Sequence, residues 1–148
     1  MAGTGPELAR LQALVSELGI SAAVRFAGRI DNADIPRLYA SADCMLNPST
    51  VDNMPISILE AFASGVPVIS TDAGGIPDMV EDRLSAQLVP VGDEARMARE
   101  ALRVLGDRNL AGSMRTAGIE AATRYAWPTV RDQWLNLYRR LAATRGTR

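Results

Sequence analysis

The sequence predicts an α/β protein built on a doubly wound parallel sheet, and three observations support this fold class. Helical and strand-like patterns alternate from the start of the chain to about residue 91. The strand-like runs, such as VPVIST at 66–71, are continuously apolar, which is typical of parallel strands covered on both faces. The chain has 148 residues, of which 47% are hydrophobic and 22% charged, enough for one domain with a core. We therefore expect a single domain over residues 1–148.

The spacing of apolar residues and the positions of glycine and proline predict the elements up to residue 91. Leu8, Leu11, Val15 and Leu18 form a helical stripe that Gly19 ends. The predicted strands are AVRFAG (23–28), DCMLNPS (43–49), VPVIST (66–71) and SAQLVPV (85–91). The predicted helices in this part cover residues 3–19, 33–42 and 55–64, and a further one follows the glycine-rich turn at the start of 73–82. GTGP at 3–6 resembles a turn that follows a strand, so opening strands are predicted to be missing.

The remainder of the chain is predicted to be helical. Asp93 and Glu94 start a helix, and its predicted core face consists of Met97, Ala101 and Leu105. A glycine-interrupted helix is expected from about 110 to 125. Pro128 opens the last helix, whose predicted apolar face consists of Val130, Trp134, Leu137 and Leu141. Residues 143–148 are predicted to be a frayed tail.

Composition excludes several functional classes. The net charge of −1 argues against binding to nucleic acid or to anionic membranes. All sixteen basic residues are arginine, so histidine general bases, lysine nucleophiles and histidine-containing metal sites are excluded. Cys44 is the only cysteine, which rules out an intramolecular disulfide and fits a reducing compartment. The sequence has neither a membrane-length apolar run nor a signal-peptide pattern, so a soluble, cytoplasmic chain is expected.

The stretch STVDNMPISILEAFASGVPVIST, at 49–71, contains an isolated carboxylate. Glu60 is the one charged residue between Asp52 and Asp72, and burial of an unpaired carboxylate costs several kcal/mol. Asp52 lies between a strand and the start of a helix, where ligands of parallel sheets bind. Free N–H groups around Met54 to Ser57 would face an anion such as a phosphate, while the two carboxylates accept hydrogen bonds from sugar hydroxyls.

Two structural explanations compete with this functional one. Asp52 or Asn53 could simply cap the helix that follows, which is a common use of both residue types. Glu60 could form an ion pair with an arginine elsewhere in the fold. The spacing of the residues does not decide among these explanations.

Motifs along nearly the whole chain resemble those of one family, the nucleotide-sugar glycosyltransferases of the GT-B fold, group 1 (family 4). In chain order the similar segments are GTGPE, VRFAG, IPRLYASADCMLNPS, DNMPISILEAFASGVPVIST, GGIPDMV, LVPVGD and YAWPTVRDQWLNLYRRL. Each motif is weak alone, but seven in register are specific. The resemblance implies the C-terminal, donor-binding domain of such an enzyme, and transfer of a glycosyl group with retention of configuration.

The resemblance also implies a role for each matching residue. Asp52, the catalytic residue, would contact the hydroxyls of the donor sugar near the reacting carbon, and Glu60 would bind the ribose. The backbone of the remaining donor-binding positions at the helix start would hold the diphosphate and sugar: Asn53, Met54, Pro55 and Ile56. Gly28 and Arg29 would lie near the nucleobase. Gly3 and Gly5 would line the mouth of the cleft.

The same resemblance sets expectations for cofactors and partners. No D-x-D triplet occurs, so no metal or other cofactor is expected, and the nucleotide-sugar is a substrate. Asp at 52 replaces the family's more frequent Glu, and Asn53 replaces a common Gly. Family members also carry an N-terminal acceptor domain and an Arg/Lys loop that this sequence lacks. We therefore expect a partner, as a missing domain or a separate chain, and peripheral membrane association only through the full-length enzyme. Polysaccharide or glycolipid assembly is the expected setting.

Two other functions remain open at this point. The chain could be a non-catalytic subunit that binds nucleotide-sugars and requires a separate acceptor-binding chain. It could also belong to a sugar-nucleotide epimerase of the same two-domain fold. Epimerase chemistry calls for additional acids and a histidine, and this chain contains no histidine.

Overall fold

The computed structural model describes residues 1–145, which divide into two compact units, Met1–Leu38 and a second unit that starts at Tyr39. In the first unit, the apolar stripe predicted for helix α1 (Leu8–Glu17) is only partly buried. Gly19, with φ 67°, follows the end of this helix as predicted. Helix α2 (Ile35–Ala40) starts in the first unit and continues into the second.

The strand predicted at 23–28 is wrong. This segment is not a β-strand, although its backbone forms hydrogen bonds with the first residues of the chain. The N-terminal amine of Met1 donates to the Arg25 carbonyl at 2.6 Å, and the Ala27 N–H donates to the Met1 carbonyl at 2.8 Å. The Gly3 N–H donates to Gly28 at 2.7 Å. A strand needs a continuous ladder, and this pairing extends over only three residues of the partner segment.

A three-stranded parallel sheet forms the centre of the second unit. It comprises β1 (Met45–Asn47), β2 (Val68–Thr71) and β3 (Ala86–Val89) in the order β1-β2-β3. Ile69 is the Cα partner of Leu46 on one side and of Gln87 on the other. All four residues of β2 are buried, which agrees with its central position in the sheet. The predicted parallel sheet with flanking helices is therefore confirmed, with three of the four predicted strands.

In the described part of the chain, five helices follow the first strand, and their bounds agree closely with those predicted. They are α3 (Ile56–Ala63), α4 (Ile76–Met79), α5 (Glu94–Gly106), α6 (Arg108–Thr123) and α7 (Trp127–Arg145). Asp93 starts α5 as predicted, because its carboxylate accepts a hydrogen bond from the Arg96 N–H at 2.9 Å. Asp107 caps α6 in the same way.

One cluster of buried core residues lies between the sheet and α5 and α6. It contains Ile69, Val89, Met97, Ala101, Val104 and Met114. Leu105 was predicted to belong to this core, but it is 53% exposed, whereas its neighbour Val104 is 2% exposed. The error has a geometric cause: one residue along a helix turns the side chain by about 100°, and the packed face continues from Ala101 to Val104.

Helix α7 keeps most of its apolar side chains exposed. Trp134 and Leu141 are 52% and 53% exposed, and both lie on the face predicted to be apolar. The prediction of a frayed tail at 143–148 is wrong for residues 143–145, because α7 continues to Arg145. Residues 146–148 lie outside the described part of the chain. Among residues 1–145, none of the helices combines the length and the apolar character that a membrane crossing requires.

Candidate functional site

The predicted site of the second unit is formed by the loop after β1 and by the start of α3. Parallel strands present their carboxyl ends at one edge of the sheet, and loops at this edge commonly bind ligands. Asp52 is half-buried in this loop, Asn53 and Met54 are exposed, and Pro55 is buried. The loop therefore fixes its backbone through Pro55 and leaves polar groups open to solvent.

The first turn of α3 has no side-chain cap. Pro55 occupies the N-cap position with φ −66° and ψ 112°, and no side chain accepts a hydrogen bond from this helix start. The explanation that Asp52 or Asn53 caps the helix is therefore wrong. Within the described residues, the backbone N–H groups of Asn53, Met54, Ile56 and Ser57 donate no hydrogen bond. Pro55 has no N–H group and cannot serve as a donor.

Glu60 is half-buried in the second turn of α3. Its carboxylate forms neither a salt bridge nor a hydrogen bond with any side chain in the region spanning residues 1–145. The explanation that it is one half of a structural ion pair is therefore wrong for the described chain. A half-buried carboxylate without a partner carries a desolvation cost that a ligand with hydroxyl groups would offset.

Tyr39 lies beside this part of α3. Its hydroxyl donates to the carbonyl oxygen of Ser57, in the first turn of α3, at 3.0 Å. Burial, and to a smaller extent the negative charge of Glu60, raise the pKa of Tyr39 to about 12. Tyr39 therefore stays a neutral hydrogen-bond donor throughout the physiological range.

A polar network at the ends of β1 and β2 leads to the Asp52 carboxylate. Asn47 donates from Nδ2 to Ser70 Oγ at 3.1 Å, across the two paired strands. Ser49 Oγ lies 3.0 Å from Asn47 Oδ1 and 3.5 Å from Asp52 Oδ2. Thr71 Oγ1 donates to the Ser49 carbonyl oxygen at 2.5 Å. The strand ends thereby position the loop that contains Asp52.

Two glycines after β2 lie directly against the same loop. The Gly75 N–H donates to the Asp52 carbonyl oxygen at 3.1 Å. A Cβ atom at Gly74 would lie 1.9 Å from the Asp52 carbonyl oxygen, and one at Gly75 would lie 2.2 Å from that of Asn53. Only residues without a side chain fit this close approach of two backbones.

The remaining predicted site residues belong to the first unit. Gly3 and Gly28 are joined by the hydrogen bond from the Gly3 N–H, and Gly28 has φ 65°. The Gly5 carbonyl oxygen accepts from the Leu8 N–H at 3.2 Å at the start of α1. Arg29 is exposed. Their placement around a nucleobase or a cleft mouth stays a prediction.

Sequence reasoning missed the supporting residues of the site. It assigned no role to Ser49, Ser70 or Gly75, and it placed Tyr39 only within a motif. The available signals were polar residues at the ends of apolar strands and a Gly-Gly pair after β2. Such residues are too common at strand ends to be assigned without knowledge of the strand register.

Comparison with known proteins identifies the family. The model of the family "Glycosyl transferases group 1" matches residues 1–121. The chain belongs to this family. It is 35% identical, over 147 residues, to a D-inositol 3-phosphate glycosyltransferase of Saccharomonospora viridis. That match covers 98% of this chain and 34% of the relative.

Solved structures of group 1 glycosyltransferases have the same fold. Sucrose-phosphate synthase from Thermosynechococcus elongatus matches 96% of this chain and 37% of its own, with a TM-score of 0.84 and 29% identity. HepE from Anabaena, solved in complex with UDP, matches 93% of this chain and 39% of its own, with a TM-score of 0.84 and 26% identity. The parallel sheet and flanking helices correspond to the C-terminal domain of GT-B glycosyltransferases. This group 1 chain spans about a third of the length of the curated relatives it matches.

Proposed function

We propose that this chain is the donor-binding half of a retaining glycosyltransferase that uses a nucleotide-sugar. One observation carries the proposal: the uncapped start of α3 and the unpaired Glu60 occur on the same short helix. Free N–H groups suit an anion, and a lone half-buried carboxylate suits a diol. A nucleotide-sugar contains both, as diphosphate and ribose, and HepE binds UDP.

The proposed diphosphate site consists of backbone groups. The N–H groups of Asn53, Met54 and Ile56 are unused within the described chain, and the positive end of the α3 dipole adds to their attraction for an anion. During glycosyl transfer, negative charge grows on the departing diphosphate. Donors that are already oriented stabilise this charge without reorganisation.

The two carboxylates have different proposed roles. Glu60 accepts hydrogen bonds from the ribose diol, which offsets part of its desolvation cost. Asp52 contacts the hydroxyls of the donor sugar and supports electrostatically the positive charge that develops on the ring. Backbone contacts of Gly28 and Arg29 with the base, and of Gly3 and Gly5 with the donor at the cleft entrance, are part of the proposal. The reaction proceeds without a metal ion in this proposal, because backbone donors take over the stabilisation of the diphosphate.

The acceptor is proposed to bind to another part of the protein or to a partner chain. The relatives are about three times as long as the matched region, and this supports a second half that is not included in residues 1–148. The same observation also favours a second candidate function, a non-catalytic nucleotide-sugar-binding subunit. Co-purification with an acceptor-binding chain that restores sugar transfer would distinguish an active half from a subunit that only binds.

Titration calorimetry with UDP, GDP and ADP tests the proposed donor site. We expect one of these diphosphates to bind, and Glu60→Gln to weaken it about tenfold, because a hydrogen bond to a charged group contributes about 1.5 kcal/mol or more. Glu120→Gln provides the matched control, since Glu120 is exposed on α6. If none of the three diphosphates binds, or if both variants bind equally well, the proposed site is wrong.

A further inference from the structure

We propose that Ser49 is a positioning residue that orients the Asp52 carboxylate toward the donor sugar. This inference rests on the proposed function, because it assumes that Asp52 contacts the sugar. It concerns a residue outside the predicted site, and it follows from the hydrogen-bond network at the ends of β1 and β2.

The network fixes the side chain of Asn47 first. Asn47 is 8% exposed, and its Nδ2 donates to the fully buried Ser70 Oγ. The Ser70 hydroxyl has two acceptors for its own proton, the carbonyl oxygens of Thr71 at 3.0 Å and of Asn47 at 3.4 Å, so its oxygen is free to accept from Asn47 Nδ2. With Nδ2 engaged across the strand pair, Oδ1 of the same amide faces Ser49. The amide therefore presents an acceptor at a fixed position.

Ser49 is held at both its backbone and its side chain. Its carbonyl oxygen accepts the hydrogen bond from Thr71 Oγ1, and its Oγ lies 3.0 Å from Asn47 Oδ1. The same Oγ lies 3.5 Å from Asp52 Oδ2. A hydroxyl has one proton, so Ser49 can donate to only one of these two acceptors at a time. The shorter distance favours Asn47, and the carboxylate is held by a weaker, adjustable contact.

This sharing leaves the carboxylate oriented but available. Across the part of the chain that is described, Ser49 is the side chain in hydrogen-bond contact with the Asp52 carboxylate. Oδ2 faces Ser49, so Oδ1 is left for a ligand. Removal of the Ser49 hydroxyl frees the Asp52 carboxylate to rotate. The carboxylate must then become ordered when the donor binds, which lowers the affinity for the donor. The affinity should therefore fall only for ligands that carry the sugar.

Calorimetry with matched ligand pairs tests this inference on the full chain. For UDP with UDP-glucose, and GDP with GDP-mannose, the ratio of the two dissociation constants isolates the contribution of the sugar. We expect Ser49→Ala to change this ratio about threefold against the sugar-bearing ligand, which corresponds to a hydrogen bond at the weak end of the usual range. Affinity for the diphosphate alone should stay within twofold. Ser49→Thr, which keeps the hydroxyl, should restore the original ratio.

Two further variants separate the possible outcomes. Thr50→Ala removes the neighbouring hydroxyl, which is exposed and forms no hydrogen bond within residues 1–145, and it should leave both affinities unchanged. Asp52→Asn should change the ratio at least as strongly as Ser49→Ala. If Asp52→Asn has no effect, the proposed role of Asp52 is wrong. If Asp52→Asn acts and Ser49→Ala does not, the positioning role alone is refuted.

A purely structural role for Ser49 would also refute the inference. In that case Ser49→Ala would weaken the diphosphate and the sugar-bearing ligand equally, together with a lower melting temperature. If the alanine variant does not fold, Ser49→Cys replaces it, because a thiol fills the space of the hydroxyl but is a weak donor. The cysteine variant should then change the ratio in the same direction.

Discussion

Gly75 is one of the two glycines at which the site loop depends on the absence of a side chain. Its φ of −87° is accessible to any residue, so strain of the backbone dihedral is not involved. A Cβ at this position would lie 2.2 Å from the Asn53 carbonyl oxygen, far inside van der Waals contact. The loop would have to move away from the sheet edge.

We predict that Gly75→Ala displaces the Asp52–Asn53 backbone. The free energy of unfolding should fall by about 1–3 kcal/mol, as for other overpacked sites, and diphosphate affinity should fall about tenfold or more. Gly106→Ala is the control, because a Cβ there meets nothing within 4 Å. Urea denaturation and calorimetry measure both quantities. Equal stability and affinity in the two variants would show that the loop adjusts freely.

Tyr39 gives a pH dependence whose sign follows from its environment. Burial and the charge of Glu60 raise its pKa from 10.0 to about 12. The folded state therefore favours the protonated hydroxyl, and its contribution to stability is complete below pH 10 and is lost as the pH rises toward 12. Absorbance titration of the wild type against Tyr39→Phe should isolate one ionisation near pH 12. An ionisation centred near pH 10 in this difference would contradict the assigned environment.

At the scale of single residues, the sequence predicted the charged members of the site better than the neutral ones. Glu60 attracts attention because a lone carboxylate in an apolar run is costly. Ser49, Asn47 and Ser70 are unremarkable in the sequence. Their relation depends on the register in which Asn47 pairs with Ser70. Register between strands that are distant in the chain is a tertiary property.

Helices α3 and α6 pack closely at a glycine. This contact stabilises α3, the helix that carries Glu60. A Cβ at Gly118 would lie 3.0 Å from the ring of Phe62, which is 1% exposed and lies on α3. Gly112 belongs to the same helix, but it is exposed and a Cβ there meets nothing within 4 Å. The two glycines thus offer a matched pair within one element.

We predict opposite effects for alanine at these two positions. Gly118→Ala should destabilise the fold by about 1–3 kcal/mol, because the buried ring of Phe62 has little room to move. Gly112→Ala should stabilise it by about 0.5–1 kcal/mol through higher helix propensity. Thermal and urea denaturation of both variants test the difference. Stabilisation by both substitutions would show that α3 and α6 do not pack closely at Gly118.

At the scale of elements, the sequence patterns predicted the positions of helices and strands well, but they predicted less well how these elements pair and pack. The bounds of α3 and α6 agree with the predicted ranges to within about two residues. The segment 23–28 has a strand-like pattern but no long partner, so it does not form a strand. On α5 the packed face includes Val104 rather than Leu105, because side chains that are three and four residues apart share a helix face. In both cases the outcome depended on the segment or face against which the residues pair or pack. A local sequence pattern does not identify that partner.

At the scale of the whole molecule, the chain corresponds to about a third of its relatives. The family assignment comes from motifs spread over nearly all of its length, and the family model covers residues 1–121. Helix α7 lies beyond that match and exposes Trp127 to 69% and Trp134 to 52%. Because the matched region is only a part of each relative, donor binding is proposed for this chain, and acceptor binding is proposed for another part of the protein or for a partner chain.

The sequence by itself determined the family, the parallel α/β class and the helix that carries Glu60. These properties are written in local patterns: apolar runs, glycine and proline positions, and motifs in a fixed order. Only the tertiary structure decided that α3 lacks a side-chain cap, that Glu60 has no partner in the described residues, and that Ser49 lies between Asn47 and Asp52. The physical reason is that the loop between β1 and α3 takes its shape from hydrogen bonds with distant residues. Ser70 binds Asn47, Thr71 binds Ser49, and Gly75 binds Asp52.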